Sequence, residues 1–355
     1  MPAEFQSGGY CNSFDFENVV NAIFDFTGSG AIFNTTPTRF GIGQSLQNPA
    51  HTGMNLSANE ATLFDSVGVY EALLPTSGWS LIREWYDATA GQVQVSLQYN
   101  ALGALQFFSG AGTSTPLGSL SASGVIRVNQ WVFLEVKIVF NSATGSVQCR
   151  AWGPGGNGST PVINSSSLNT APSGNNFCNR VYFETGAGNT WFDDWYMLDG
   201  TGSGAMSTFL GNGRVQCDAA SGDDPTSGNN QFSTQPSQTT GNHYKNVDEL
   251  PLVNDTNYNF DNNVGDKELY EFPANLPTAP LFINFWYRTW LDTSGSRTVE
   301  PLCQSSGVTT TGAAITPSST PSYSNQLTQN DPNTGAPWAT AAAAEAALLG
   351  IEIAS

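Results

Sequence analysis

Thr190-Trp-Phe-Asp-Asp-Trp-Tyr-Met-Leu198 is the stretch of sequence that decides the fold. Its aromatic and apolar residues, with turn residues on both sides, are typical of a β-strand. Segments of the same kind recur before it at short intervals, and the chain becomes glycine-rich directly after Asp199. We therefore predict that residues 1–200 form one antiparallel β-sandwich, of the concanavalin A-like jelly-roll kind, which this strand closes.

The segments before it alternate apolar and polar residues, as half-buried strands do. Residues 91–99 alternate in this way, and residues 102–108 follow as the second strand of a hairpin. Residues 131–140 and 146–152 form another strand pair, joined by a turn at residues 141–145. In the first of these two strands the alternation places Glu135 and Lys137 on the outer face, which we interpret as exposed to solvent.

Beyond residue 200 the pattern changes. Residues 209–217 predict one further strand, whereas residues 218–245 are polar and predict an extended arm or a long loop held by a neighbouring molecule. We therefore assign residues 201–246 to an extended linker or arm, and residues 247–355 to a smaller, mainly β assembly domain. Residues 281–290 are the most apolar run of that domain and predict its central strand.

The last part of the chain predicts a short C-terminal helix. Residues 337–349 are rich in alanine, the strongest helix former. Pro337 suits the first turn of a helix, and Gly350 suits the position just after its end. The whole chain is therefore expected to be all-β apart from this helix.

The composition excludes some functions. Charged residues make up 11% of the chain, and 11 Lys and Arg against 29 Asp and Glu give a formal net charge of −18. No basic cluster is present to neutralise phosphates, so we expect no nucleic-acid partner. The excess of acid indicates solubility through self-repulsion, with adaptation to salt or a basic partner surface as alternatives. No apolar run spans a membrane, and no export signal is recognisable.

The cysteines and histidines give no metal-binding pattern. Five cysteines are scattered without CxxC spacing, and the two histidines stand alone in the sequence, so we expect neither a zinc site nor any cofactor. Free, buried thiols are expected, and a partial or intersubunit set of disulfides is the alternative. These residues are Cys11, Cys149, Cys178, Cys217, Cys303, His51 and His243.

Carboxylates offer little catalytic chemistry. The Glu-x-Asp-x-Glu run that places the acid, the helper and the nucleophile of a retaining glycosidase on one strand is absent. Asp193, Asp194 and Asp199 could ligate Ca²⁺, which prefers clustered oxygen ligands. Alternation along a strand directs Asp193 and Asp194 to opposite faces, so we expect at most one of them at any ligand and no metal site.

Aromatic residues near loops are the remaining candidates for binding. Sugar-binding sandwiches stack a sugar ring on Trp or Tyr beside amide and carboxylate partners. Trp152 precedes a glycine-rich loop, and Trp191 lies beside Asn189. The sequence therefore gives Trp152, Trp191 and Asn189 as candidate glycan-binding residues.

The chain resembles tailed-phage virion structural proteins that begin with a concanavalin A-like or laminin G-like jelly roll. The similar segments are Phe14-Asp-Phe16, Arg39-Phe-Gly41, residues 102–105 and 131–137, residues 192–202 and 209–216, residues 244–249, 255–258 and 266–270, Asp331-Pro-Asn-Thr-Gly-Ala-Pro-Trp338, and the closing helix with Gly350-Ile-Glu-Ile353. The resemblance implies a structural protein of the tail, fibre, collar or head surface, and it implies no catalytic residues.

Three functions follow in order of expectation. The first is a non-enzymatic virion surface protein, assembled in the host cytoplasm, which forms a symmetric homo-oligomer, expected to be a trimer, among other virion proteins. The second is an adhesin or tail-fibre protein that binds a host glycan through loops of the jelly roll. The third is a polysaccharide-degrading enzyme, placed last because no catalytic constellation is evident in the sequence.

Overall fold

The computed structural model describes residues 10–12, 30–40, 44–200, 207–216, 218–226, 228–239, 241–248, 256–291 and 296–355. The chain divides into two compact units, Pro2–Val215 and Gln216–Ser355. This division falls between the boundaries predicted at residues 200 and 246. Both units consist of antiparallel sheets, and the one α-helix among the described residues is short and lies in the second unit, which confirms the predicted all-β class.

The first unit is an antiparallel β-sandwich. Its strands are β1 (Tyr10–Asn12), β2 (Ile32–Asn34), β3 (Ser45–Gln47), β4 (Thr52–Glu60), β5 (Thr62–Glu71), β6 (Trp79–Asp87), β7 (Gln92–Asn100), β8 (Leu105–Ser109), β9 (Pro116–Leu117), β10 (Trp131–Val139), β11 (Gly145–Gly153), β12 (Gly156–Asn157), β13 (Ile163–Leu168), β14 (Cys178–Phe183) and β15 (Thr190–Leu198). One sheet has nine strands in the order β12-β11-β10-β5-β15-β3-β2, with β1 beside β15 and β13 beside β11. The other has six, in the order β4-β14-β6-β7-β8-β9.

The predicted alternation is confirmed on the faces that meet in the core. In β7, Val93, Val95, Leu97 and Tyr99 are all buried. In β10, the four apolar residues that alternate with aromatic and charged residues along the strand are also buried: Val132, Leu134, Val136 and Ile138. Each strand therefore gives one face to the core between the sheets, where burial of apolar area supplies most of the folding free energy.

A buried ion pair joins the two sheets through this core. Arg83 of β6 donates to both carboxylate oxygens of Asp65 of β5, at 2.8 and 3.0 Å. The indole N–H groups of Trp85 and Trp195 donate to the same carboxylate at 2.9 and 3.0 Å. The guanidinium lies 3.7 Å from the ring centroid of Phe183. Four hydrogen bonds satisfy the carboxylate, which makes a charge tolerable at this depth.

Strand β15 lies inside the nine-stranded sheet, since it pairs with β5 on one side and with β3 and β1 on the other. Its register with β5 shifts between Asp193 and Tyr196, and Asp194 has a φ of 51°. The expectation that Asp193 and Asp194 face opposite ways is therefore wrong, because the bulge turns both carboxylates toward Arg39. The Arg39 backbone N–H donates to Asp193 at 2.8 Å, and its guanidinium donates to Asp194 at 2.9 Å.

Residues 209–216 do not form the predicted strand. Three of their backbone N–H groups donate hydrogen bonds to side chains of the nine-stranded sheet instead of to the backbone of another strand. The N–H groups of Leu210, Gly211 and Val215 donate to Tyr196 Oη, Glu135 Oε1 and Asp194 Oδ1, at 3.2, 2.7 and 2.9 Å respectively. Because side chains already satisfy these donors, no neighbouring strand is needed. We call residues 209–215 the covering segment.

The second unit has its own sheets. Its elements are β16 (Gly222–Asp223), β17 (Ser233–Gln235), a 3-10 turn (His243–Asn246), β18 (Tyr258–Phe260), β19 (Lys267–Glu271), β20 (Ile283–Thr289), β21 (Val299–Ser305), β22 (Val308–Thr311), β23 (Ser322–Thr328), α1 (Ala341–Glu345) and β24 (Leu348–Ile353). A five-stranded sheet has the order β16-β19-β24-β21-β22, and β17-β18 and β20-β23 form two-stranded sheets. No helix in the described residues is long and apolar enough to cross a membrane.

Two expectations for this unit differ from the structure. The described residues of 218–245, expected as an arm or a long loop held by a neighbouring molecule, pair with the rest of the unit through β16 and β17, and their Phe232 is 5% exposed. The segment is anchored because Glu268 accepts a hydrogen bond from the Phe232 backbone N–H at 2.6 Å. Residues 281–290, expected as the central strand, give β20, which pairs with β23 alone among the described strands.

The predicted C-terminal helix is much shorter than expected. Helix α1 begins after Thr340, whose side chain accepts a hydrogen bond from the Ala343 N–H, and it ends at Glu345. Leu348 and Gly350 belong to β24, which lies between β19 and β21. A Cβ on Gly350 would overlap the Glu268 carbonyl oxygen, so this glycine permits close strand pairing and does not stop a helix. The alanines keep their helical preference in α1, whereas strand pairing ends the predicted helix before Leu348 and Leu349.

Cys149, Cys178 and Cys303 are free and buried, as predicted. Burial raises the pKa of the Cys178 and Cys303 thiols to about 12, so both remain protonated at neutral pH and are poor nucleophiles. The Cys11 side chain, Cys217, Phe14-Asp-Phe16, Gly41, residues 201–204, Glu249 and Asp255, all used in the sequence interpretation, lie outside the described residues.

A fully buried carboxyl group lies at the end of β5. Glu71 is 0% exposed and accepts a hydrogen bond from the Thr190 hydroxyl at 2.9 Å. Burial raises the pKa of Glu71 to about 8, and the hydrogen bond from Thr190 opposes this shift only in part. Glu71 is therefore mostly protonated in the folded protein near neutral pH.

We predict that Glu71 makes the protein less stable as the pH rises from about 5 to about 8, on the order of 1 kcal/mol per pH unit. In this range the Glu71 carboxyl group keeps its proton in the folded chain, whereas in the unfolded chain, where its pKa is near 4.5, it has released the proton. Glu71→Gln cannot ionise and should lose this part of the pH dependence. Urea unfolding of both proteins across the range measures it, and parallel pH profiles would contradict the prediction.

Candidate functional site

The structure places the predicted glycan-binding residue Trp152 in β11 and Trp191 in β15, with Asn189 directly before β15. Trp191 is 8% exposed, and its ring packs edge-on against Tyr70 at 5.4 Å. Asn189 is exposed, and its side-chain oxygen accepts a hydrogen bond from Asn48 at 3.1 Å. Trp152 is half-buried in β11 and packs against the same buried aromatic cluster as Phe209 of the covering segment, and Gly158 lies directly against its ring. Neither indole therefore presents an open ring face of the kind that stacks on a sugar.

Glu135 explains the position of Trp152 and corrects a prediction. It was expected to face solvent with Lys137, yet it is 0% exposed. Its carboxylate accepts hydrogen bonds from the Trp152 indole N–H, the Tyr196 hydroxyl and the Gly211 backbone N–H, at 2.6, 2.6 and 2.7 Å. The alternation correctly placed Glu135 on the outer face of the sheet, but the covering segment lies over Glu135 there and buries it. Glu135 is an anchor for the segment.

The carboxylates considered for Ca²⁺ have protein partners. The backbone N–H and guanidinium of Arg39 contact Asp193 and Asp194, and Asp194 also accepts the Val215 N–H. Asp199 is 5% exposed and lies close enough to Glu60 that its charge adds to the effect of burial in raising the pKa of Glu60 to about 7. Arg39 thus supplies the positive charge that a metal would supply at the acidic pair.

A different cluster lies on the outer face of the six-stranded sheet. Tyr182 of β14 is paired with Glu84 of β6, and Phe183 with Arg83. Arg83 and Phe183 point into the core, where they contact each other. Since successive side chains of a strand point to opposite faces, Glu84 and Tyr182 point outward.

His51 and Glu184 complete this cluster. His51 lies just before β4, with a φ of 55°, and its Nδ1 is 2.9 Å from Glu184 Oε1. The His51 backbone N–H also donates to Glu184 Oε2 at 3.0 Å. The imidazole stacks on the Tyr182 ring at a centroid distance of 3.9 Å and an interplanar angle of 17°. One ligand atom from each of His51, Glu84 and Glu184 lies within 4.8 Å of the other two.

The electrostatics of the cluster centre on Glu84. Glu84 is 5% exposed, and no hydrogen bond reaches its carboxylate from the described residues. Burial and, to a smaller extent, the negative charge of Glu184 together raise the pKa of Glu84 to about 7, against the opposing effect of His51. Two carboxylates beside one imidazole can hold a proton, bind a cation or accept hydrogen bonds from hydroxyl groups.

Sequence reasoning missed this cluster because its members come from separate strands and a turn. Two local signals were present. Glu84-Trp-Tyr86 and Tyr182-Phe-Glu184 each place an acid two positions from a tyrosine, with a core aromatic between them. Alternation therefore predicts an acid and a tyrosine on one face of each strand, but the pairing of the two strands and the approach of His51 depend on long-range topology.

Comparisons with known proteins do not assign a family. No protein-family model and no curated protein matches the chain. Solved structures with partial likeness include "Cellulose induced protein, Cip1", at 13% identity and a TM-score of 0.34 over 59% of this chain and 93% of that chain. The catalytic domain of the glycoside hydrolase family 131 protein from Coprinopsis cinerea has 14% identity and a TM-score of 0.33 over 54% and 86%. Such low scores and identities carry no functional argument.

Proposed function

We propose that this chain is a non-catalytic structural component of a tailed-phage particle, decorating or attached to its head, neck or tail. The observation that carries the proposal is the resemblance to tailed-phage virion structural proteins, because its segments extend along nearly the whole chain. They fall in both compact units, from Arg39-Phe40 in the first to Gly350-Ile353 in the second.

A segment without charged residues in the second unit supports assembly with further copies. Residues 301–330 contain no Asp, Glu, Lys, Arg or His. Within them, every residue of β22 is exposed, and β22 pairs with β21 alone among the strands that the structure describes. Natural proteins usually protect such edges with charged residues, since an open edge pairs readily with another strand. Copies that each carry a net charge of −18 repel one another, so a contact between them favours a surface without charge.

The particle itself provides the direct test of this function. Particles of a phage that encodes this chain are grown on the host of that phage, purified on a density gradient and analysed by quantitative mass spectrometry. We expect the chain to sediment with complete particles. Its copy number per particle should be fixed and should be a multiple of three, the number of copies expected in the homo-oligomer. Recovery of the chain only in the unassembled fraction would refute the proposal.

The exposed edge of β22 gives a second test. Val308 is 44% exposed at the start of this strand, and Val308→Lys would place a charge that is costly to bury at the proposed contact. We expect this variant to shift the purified chain from oligomer toward monomer by at least about tenfold in dissociation constant, or about 1.4 kcal/mol. Sedimentation velocity over a concentration series measures the shift.

The matched control is Ser119→Lys, which makes the same change in net charge at an exposed position of the first unit. It should sediment like the unmodified chain. A chain that is monomeric at every concentration, or equal effects of the two substitutions, would contradict assembly through this edge.

Binding of a host glycan is the second candidate function. The outer face of the six-stranded sheet favours it, because the Tyr86 and His51 rings lie there beside the polar groups of Arg180 and Asn55, with Tyr182 buried beneath the imidazole. Rings beside hydrogen-bonding groups are typical of sugar sites. Selective retention on a glycan array that is lost in Tyr86→Ala but kept in Trp152→Ala would favour this site over the indoles.

A further inference from the structure

The three ligand atoms of the cluster at His51, Glu84 and Glu184 are held by the sheet and not by mobile loops alone. Glu84 projects from β6, and Glu184 follows directly after β14, the strand paired with β6. Tyr182 stacks on the imidazole and limits the rotation of His51. Pre-oriented ligands lower the entropic cost of binding, so this geometry suits an ion better than three independent surface side chains would.

Glu84 is the observation that points to a ligand. Its side chain is more than nine-tenths buried, it is directed at His51 and Glu184, and no described residue donates a hydrogen bond to it. A buried carboxylate without donors is costly, and a second carboxylate beside it adds repulsion. A divalent cation would remove both penalties, because two positive charges balance the two carboxylates.

We propose that His51, Glu84 and Glu184 form a binding site for one divalent transition-metal ion, with Zn²⁺ preferred over Ca²⁺. One imidazole nitrogen with two carboxylate oxygens is a donor set that Zn²⁺ accepts, whereas Ca²⁺ takes six to eight oxygen ligands. Ligand atoms around tetrahedral zinc lie roughly 3.3 Å apart, which follows from bond lengths of about 2.0 to 2.1 Å. Since all three ligand atoms already lie within 4.8 Å of one another, small side-chain rotations close the site.

Three protein ligands leave one position of a tetrahedral ion open. A water molecule or a group of a bound partner can fill that position on the outer face of the sheet. The site does not depend on the proposed role in a phage particle, because it rests on the geometry of the first unit alone.

Isothermal titration calorimetry of the full chain, first stripped of metal with a chelator, tests the site with ZnCl₂, MnCl₂ and CaCl₂. We expect one Zn²⁺ per chain, with binding of Ca²⁺ at least about tenfold weaker. His51→Ala and Glu84→Gln should each weaken Zn²⁺ binding by at least about tenfold, since the first removes a direct ligand and the second replaces a carboxylate ligand with a neutral amide. The His51 side chain is 61% exposed, so its substitution should leave folding intact, which circular dichroism checks.

The second histidine supplies a matched control. His243 lies 2.9 Å from Glu268 in a similar pair, but no third ligand atom joins it among the described residues. His243→Gln should therefore keep the stoichiometry and affinity of the unmodified chain. Absence of Zn²⁺ binding, unchanged affinity in His51→Ala, or equal losses in His51→Ala and His243→Gln would each overturn the proposal.

Discussion

The ion pair between Asp65 and Arg83 is the interaction on which the rest of the sandwich depends. It joins the two sheets at the centre of the core, where both side chains are nearly inaccessible to solvent. Two indole N–H groups complete the hydrogen bonding of the carboxylate and lower the penalty for burying its charge, whereas Arg83 Nη1 is buried without a hydrogen-bond partner among the described residues. The ion pair also fixes which residues of β6 face the core, because a slip of one residue in the strand register would turn Arg83 to the outside and Glu84 into the core. Because Arg83 must face the core, its neighbour Glu84 faces the outer side of the sheet, where it joins the cluster with His51 and Glu184.

Carboxylates organise the outer face of the nine-stranded sheet in a different way. Glu135 and Asp194 each accept a backbone N–H of the covering segment, and the bulge in β15 presents Asp194 for this purpose. The segment then shields Trp152, which would otherwise resemble a binding-site aromatic. The acidic residues that invite a metal or catalytic interpretation in the sequence thus bind the chain to itself. The outer face of the six-stranded sheet, where Glu84 has no such partner, is the place where an external ligand fits the chemistry.

Predictability from the sequence depended on the range of the interactions. The alternation in β7 and β10 identified the core faces correctly, because the period of two is a property of the strand itself. The predicted helix forms over part of the alanine-rich segment but was expected to extend too far, since helix propensity is local whereas β24 is fixed by its neighbours β19 and β21. Exposure of Glu135 could not be predicted, because a segment far away in the sequence covers it. The association of His51 with two carboxylates had no spacing to reveal it, since it arises only when β4, β6 and β14 pair.

A double-mutant cycle on Asp65 and Arg83 tests the central claim, that this ion pair holds the two sheets together. Asp65→Asn, Arg83→Met and the double variant are compared with the unmodified chain by urea unfolding. Each single substitution should lower the free energy of unfolding by about 3 to 5 kcal/mol, because it leaves a buried charge without its partner. The double variant should lose less than the sum, with a coupling energy of about 2 kcal/mol or more. Additive losses, with coupling below about 0.5 kcal/mol, would contradict the account.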